Sequence, residues 1–123
     1  MIIGVGIDII ELKRVKKAIE SEAFIDRVYT KGEAEYCRGR GRTGVQSFAG
    51  RFAAKEAVLK AFGTGLRKGS MQEIEVINDE LGCPQVKLYG CFEALAQEKG
   101  VKKIWLSISH SGDNAVAQCV MEG

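Results

Sequence analysis

Gln46-Ser-Phe-Ala-Gly-Arg-Phe-Ala-Ala-Lys-Glu-Ala-Val-Leu-Lys-Ala-Phe62, followed by Gly63-Thr-Gly65, is the stretch around which the rest of the chain must be arranged. It predicts one long helix, stopped by glycine after its last turn. At about 100° per residue, Phe48, Phe52, Leu59 and Gly63 share one stripe, and Glu56 falls on the same stripe. A carboxylate within an apolar face is paired, protonated or bound to a metal. Spacing alone leaves two readings: Glu56 pairs with Lys60 four residues on, or it is a ligand.

Before this helix, Ile2 to Ile10 is a β-branched run that predicts a strand. Alternation puts Gly6, Asp8 and Ile10 on one face and Val5, Ile7 and Ile9 on the other. Asp is a poor strand residue, so Asp8 either caps the helix predicted over Glu11–Glu20 or serves as a second ligand. That helix has Leu12, Val15 and Ile19 on one stripe, and Lys13, Arg14, Lys16 and Lys17 on the other face. Phe24–Tyr29 predicts a short helical turn. Thr30-Lys-Gly-Glu33 predicts a capping box opening a helix through about Arg38. After the long helix come strands over Ile74–Ile77 and Val86–Tyr89, a helix over Gly90–Lys99 closed by Gly100, and strands over Lys103–Ser109 and Ala115–Met121. The last two are joined by a His110–Asn114 loop. The expected fold is α+β, a mostly antiparallel sheet packed with one long central helix, in a single domain over residues 1–123.

The balance of the 123 residues agrees with a globular chain: 46% are hydrophobic and 28% charged, with net charge +2. Disorder and collagen-like repeats are excluded, and so mild a charge does not mark a nucleic-acid protein. No apolar run is long enough to span a bilayer. Met1 to Glu11 lacks a basic opening and reads as a buried strand, not an export signal. Cys37, Cys83, Cys91 and Cys119 have no Cys-x-x-Cys spacing, and there is one histidine, so zinc is not expected. Free, buried thiols in a cytoplasmic protein are the expectation.

Two isolated carboxylates, Asp8 and Glu56, suit magnesium, which takes few protein ligands and completes its shell with water and phosphate oxygens. Lys60 and Arg51 lie within a turn or two of Glu56 on the helix, and His110 follows a strand. Gly4-Val-Gly6 and Gly63-Thr-Gly65 match no phosphate-loop fingerprint and read as packing and helix termination. The run Arg38-Gly-Arg-Gly-Arg42 is open between a solvated loop, a phosphate clamp and a nucleic-acid patch, though it lacks aromatics for base stacking.

Three segments, Gly6-Ile-Asp8-Ile-Ile-Glu11-Leu-Lys-Arg14, Arg51-Phe-Ala-Ala-Lys-Glu56-Ala-Val-Leu-Lys60-Ala and Ser107-Ile-Ser-His110-Ser, resemble the signature segments of the 4′-phosphopantetheinyl transferases. Phe48-Ala-Gly50 before the middle segment, Ala61-Phe-Gly-Thr-Gly65 after it, Phe24–Thr30 and Gly82-Cys-Pro84 extend the resemblance over nearly the whole chain, at the length of the single-module type. The resemblance implies transfer of the 4′-phosphopantetheine arm of coenzyme A to a serine of apo acyl carrier protein. Adenosine 3′,5′-bisphosphate is released, in support of fatty acid biosynthesis. It implies Mg2+ held by Asp8 and Glu56, and Lys60 on the pyrophosphate. Arg51 and His110 are implied on the nucleotide phosphates, Arg42 on the 3′-phosphate, Pro84 near adenine, and Gly63 and Ser109 at the cofactor. Glu56, directly or through a metal-bound water, is implied as acceptor of the serine proton. Arg14 is implied in carrier docking, with Lys13, Lys17, Arg27 and Phe24 around it, and the assembly is implied to be a homotrimer with active sites between subunits. The chain departs from the family at Ser21 and Glu22, where further basic residues are common. Two other readings use the same residues: a magnesium-dependent nucleotide pyrophosphatase, and a non-catalytic module that binds an acidic partner.

Overall fold

The computed structural model describes residues 1–63 and 69–123. Strand β1 (Ile2–Glu11) leads into helices α1 (Leu12–Ala18), α2 (Glu22–Val28) and α3 (Lys31–Arg38). A 3₁₀ turn at Gly41–Thr43 then opens α4 (Gly44–Phe62). After the 3₁₀ turn Met71–Glu73 come β2 (Ile74–Asn78), β3 (Pro84–Leu88), α5 (Gly90–Lys99), β4 (Lys103–Ser111) and β5 (Asn114–Glu122). The strands form two antiparallel sheets, β1-β5-β4 and β2-β3. The expected single sheet is thus split, because β3 and β4 lie near one another without forming a ladder.

Helix α4 is the core. Ala53, Ala54, Ala57 and Val58 are fully buried, and Phe48, Leu59 and Phe62 nearly so. Burying each of the larger side chains contributes about 2 kcal/mol. The single apolar stripe expected for this helix is corrected here: α4 is buried around most of its circumference, and Phe52 keeps partial exposure. Small residues let it lie directly on β1. A Cβ at Gly6 or Gly4 would collide with the carbonyls of Ala57 and Ala61, so the helix backbone fills the space beside Asp8. Gly63 ends α4 in the left-handed region, at φ +78°, and its N–H caps the Leu59 and Lys60 carbonyls. The rest of Gly63-Thr-Gly65 lies outside the described residues.

The capping box at Thr30 forms as its spacing predicts: Thr30 Oγ1 accepts from the Glu33 N–H, and Glu33 Oε1 accepts from the Thr30 N–H. The β4–β5 connection differs from expectation. The strands run on to Ser111 and back from Asn114, so the turn is only Gly112-Asp113 and His110 lies within β4, opposite Ala115. Period-two side-chain alternation then assigns faces. Gly6, Asp8, Ile10, Ala115, Ala117, Cys119, Leu106, Ile108 and His110 face α4. The outer face carries rows Val5–Val120–Trp105, Ile7–Gln118–Ser107 and Ile9–Val116–Ser109. All four cysteines are free, but only Cys37 and Cys119 are buried; Cys83 and Cys91 are exposed.

Candidate functional site

Two clusters of chemistry-bearing side chains flank α4. The first lies where α4 crosses β1. Lys60 Nζ sits 3.1 Å from Asp8 Oδ1 and donates to the Ile7 carbonyl at 3.0 Å. The Glu56–Lys60 helix pair is therefore replaced by a strand-to-helix pair between Asp8 and Lys60. The Asp8 cap reading also gives way: α1 starts with Glu11 at its N-cap and no side-chain cap bond. Glu56 is half-buried and makes no hydrogen bond or ion pair among the described residues. Burial raises its carboxyl above the ordinary carboxylate range, the Asp8 charge raises it further, and Lys60 pulls it back.

Two facing carboxylates that repel each other, one of them desolvated, fit a divalent cation. Few protein ligands and hard oxygen donors are what magnesium takes, the rest of its shell being water and phosphate oxygens. An ion held by Asp8 and Glu56 would relieve the repulsion that adds to the effect of burial on Glu56.

The second cluster is a pocket of about 210 Å³ whose lining includes Tyr36, Arg40, Gly50, Arg51, Pro84 and His110. Arg51 is 6% exposed, and its Nε is buried without a hydrogen-bond partner among the described residues. Its guanidinium carbon lies 4.3 Å from the Tyr36 ring centroid, and that of Arg40 lies 5.5 Å from the same ring. Asn78 Nδ2 donates to the Tyr36 hydroxyl at 3.0 Å, fixing the ring from β2. His110 Nε2 donates to the Gln46 carbonyl at 2.9 Å. The imidazole reaches α4 because Gly50 offers no Cβ; one built there would stand 3.2 Å from Nε2. An orphaned guanidinium N–H, a second arginine on the same ring and an imidazole make a site for an anion.

The expected residues therefore divide. Asp8, Glu56 and Lys60 come together at one cluster; Arg51, His110 and Pro84 come together at the other. Arg42 is exposed in the turn before α4 and outside this pocket, whose arginine from that run is Arg40. Arg38 instead pairs with Glu22 at 2.8 Å. Ser109 faces away from His110, on the outer face of the sheet. On α1, Lys13, Arg14, Lys16 and Lys17 are all exposed beside the buried Val15. Arg27 is exposed on α2, whereas Phe24 is half-buried with its ring 6.2 Å from Tyr29 and 6.1 Å from Phe52.

Sequence reading missed Tyr36 and Asn78, and also Lys55, which is fully buried; Arg40 was offered only as one of the run with a phosphate clamp among its readings. The run of arginines marked the loop but not which side chain turns inward. Lys55 was signalled only by its place among alanines and apolar residues on α4.

Known proteins resemble the chain over its full length. The family model of the 4′-phosphopantetheinyl transferase superfamily matches residues 4–119. The holo-[acyl-carrier-protein] synthase of Clostridium tetani is 50% identical over 125 residues, covering 100% of this chain and 98% of the relative. The crystal structure of holo-[acyl-carrier-protein] synthase from Neisseria meningitidis superposes with TM-score 0.91 at 36% identity, covering 100% of both chains. A holo-(acyl-carrier-protein) synthase from Bacillus anthracis, solved in complex with CoA (3′,5′-ADP), superposes with TM-score 0.82 at 42% identity, covering 98% of this chain and 96% of that one.

Proposed function

This chain belongs to the 4′-phosphopantetheinyl transferase superfamily, and from its membership we propose how its residues divide the work of the reaction. The chain is a transferase: it moves 4′-phosphopantetheine from coenzyme A to a serine of apo acyl carrier protein, releasing adenosine 3′,5′-bisphosphate. The observation that carries the division is the Asp8–Glu56–Lys60 cluster, in which a strand and a helix bring two carboxylates and an ammonium together.

Asp8 and Glu56 would hold Mg2+. When bound, the ion supplies Lewis-acid neutralisation of the coenzyme A pyrophosphate. Among the described residues Lys60 uses two of its ammonium N–H donors, on Asp8 and the Ile7 carbonyl, and a third points to a phosphate oxygen as charge builds on the leaving group. Glu56 Oε accepts the serine proton through an intervening water. Arg51, Arg40 and His110 hold the nucleotide phosphates against Tyr36, with Pro84 forming the wall beside the base.

The carrier docks on α1. Its exposed Lys13, Arg14, Lys16 and Lys17 offer a positive face to an acidic partner, and α1 starts four residues after Asp8, so docking delivers the serine beside the carboxylates.

The working unit is a homotrimer with active sites between subunits. Two observations support this. Val5, Ile7 and Ile9 are 59%, 60% and 64% exposed and share the outer sheet face with Trp105, 55% exposed, a patch that a soluble monomer seldom leaves open. Arg51 and Glu56 leave α4 about 140° apart, so the two clusters open on different sides of the helix, as sites completed by a neighbouring subunit would. Light scattering is expected to give three times 13.4 kDa; a monomer fully active in transfer would refute the assembly. Free thiols and a coenzyme A substrate support a cytoplasmic site of action.

The test is chromatographic release of adenosine 3′,5′-bisphosphate from coenzyme A. Release is expected only when the chain, magnesium and an apo acyl carrier protein are all present. Release without the carrier would give the chain a hydrolase's reaction instead. No release with magnesium across several carriers would remove transfer altogether.

A further inference from the structure

We propose that the buried Glu33–Lys55 ion pair is a positioning device for the reaction, setting the rotation of α4 about its axis so that Glu56 meets Asp8. The proposal rests on the reading of Asp8 and Glu56 as the metal-holding carboxylates, and adds residues that touch neither substrate nor metal.

Lys55 Nζ lies 2.7 Å from Glu33 Oε1 and donates to the Ile74 carbonyl at 2.6 Å and the Met71 carbonyl at 2.9 Å. All three ammonium donors are used. Glu33 is equally committed: Oε1 also accepts from the Thr30 N–H at 2.8 Å, and Oε2 accepts from the Val76 N–H at 2.7 Å. The pair thus bolts α4 to the start of α3, to the 3₁₀ turn Met71–Glu73 and to β2. Tyr29, immediately before the α3 cap, donates its hydroxyl to the Phe48 carbonyl of α4 at 2.8 Å. On its β1 side, α4 is seated on Gly4 and Gly6 with no side chain between.

A helix side rich in alanine contributes smooth packing that does not by itself select a rotation. Directional bonds at fixed oxygens do. Lys55 and Glu56 are successive residues, so their side chains leave the axis about 100° apart and turn together. A carboxylate about 6 Å from the axis moves about 1 Å for a rotation of about 10°. A displacement of that size at reacting groups costs about 100-fold in rate. Apolar residues can hold a buried site as firmly as an ion pair does. What they lack is the geometric selection that Glu56 requires.

The test compares wild type with the double variant Lys55→Met/Glu33→Gln, which removes both charges at similar volume. The expected variant is folded by circular dichroism, keeps its coenzyme A KM within about 3-fold, loses about 30-fold in kcat, and needs about 10-fold more magnesium for half-maximal rate. A folded variant with wild-type kcat and magnesium requirement overturns the proposal. So does an activity loss matching the unfolded fraction with the magnesium requirement unchanged. If the double variant does not fold, Glu33→Asp keeps the charge but withdraws the carboxylate by one methylene. It is expected to raise the magnesium requirement about 3-fold, and an unchanged requirement and kcat overturn the proposal. A wild-type chain without carrier-dependent transfer refutes the functional reading. A transferring wild type beside an unchanged variant refutes only the positioning role.

Discussion

Lys55 and Glu56 are neighbours on α4, yet they belong to opposite kinds of charge. Lys55 is fully buried and surrounded by a closed set of acceptors that uses every donor it has. Glu56 is half-buried, faces another carboxylate, and is left without a hydrogen-bond partner among the described residues. A closed set stabilises a geometry and has nothing left to offer a ligand. An open set costs stability while empty, and on the proposed function it would recover that stability when a cation and a phosphate bind. The same contrast separates Glu33, whose oxygens are all engaged, from Arg51, whose buried Nε is not. Among the described residues of this helix, the groups left unsatisfied are those proposed to meet substrate.

The largest effect is expected where the open set is broken. Glu56→Gln should reduce turnover by about 1,000-fold. The same change should raise the melting temperature of the metal-free protein at neutral pH. The sign follows from the raised pKa: a carboxyl that holds its proton more tightly when folded contributes stability at low pH that is lost as pH rises through its folded pKa. Retained turnover, or a lowered melting temperature with turnover intact, would erase the distinction between the two sets.

Breaking the closed set from one side should be costly to folding instead. Lys55→Met alone leaves the Glu33 carboxylate buried without its partner, and urea denaturation should show a loss of about 3 kcal/mol. A loss under about 1 kcal/mol would mean that the pair is dispensable to the fold.

A smaller effect is expected at the fully solvated charges. Arg14→Glu should raise the KM for the carrier about 10-fold while leaving that for coenzyme A nearly unchanged. An equal rise in both would remove Arg14 from docking.

The smallest is an alkaline loss of stability. Burial pushes the Cys37 and Cys119 thiols up to about 11 from an ordinary 9.0. Stability contributed by these protonated thiols is complete below pH 9 and is lost as pH rises toward 11. At pH 10, Cys37→Ala should therefore lose less stability relative to pH 8 than wild type does, by about 1 kcal/mol in urea midpoints. Parallel pH profiles would contradict this.

Much of the fold was legible because it is encoded locally. The Thr30–Glu33 capping box, the glycine after α4 and α5, and the period-two pattern of β1 each need only a few consecutive residues. The carboxylates were legible for a different reason: Asp8 and Glu56 are out of place on apolar faces, and their signature segments resemble a known family. What escaped was tertiary. Lys55 finds Glu33 across 22 residues, and Lys60 finds Asp8 across 52, so neither pairing follows from helical spacing. His110 was expected in a loop because Ser-Gly-Asp-Asn reads as turn, whereas β4 and β5 pair up to a two-residue turn. Arg40 lines the pocket in place of Arg42, a choice made by the packing against Tyr36 and not by the arginine run itself.

The most direct measurement is the intact mass of an apo acyl carrier protein after incubation with coenzyme A, magnesium and either wild-type chain or Glu56→Gln at equal folded concentration. A gain of one phosphopantetheine with wild type, absent when magnesium is chelated and lost with Glu56→Gln, is the predicted result. A carrier modified equally by both proteins would contradict the assignment of the reaction to the Asp8–Glu56 cluster. A carrier modified by neither, across several carriers, would contradict the transfer itself.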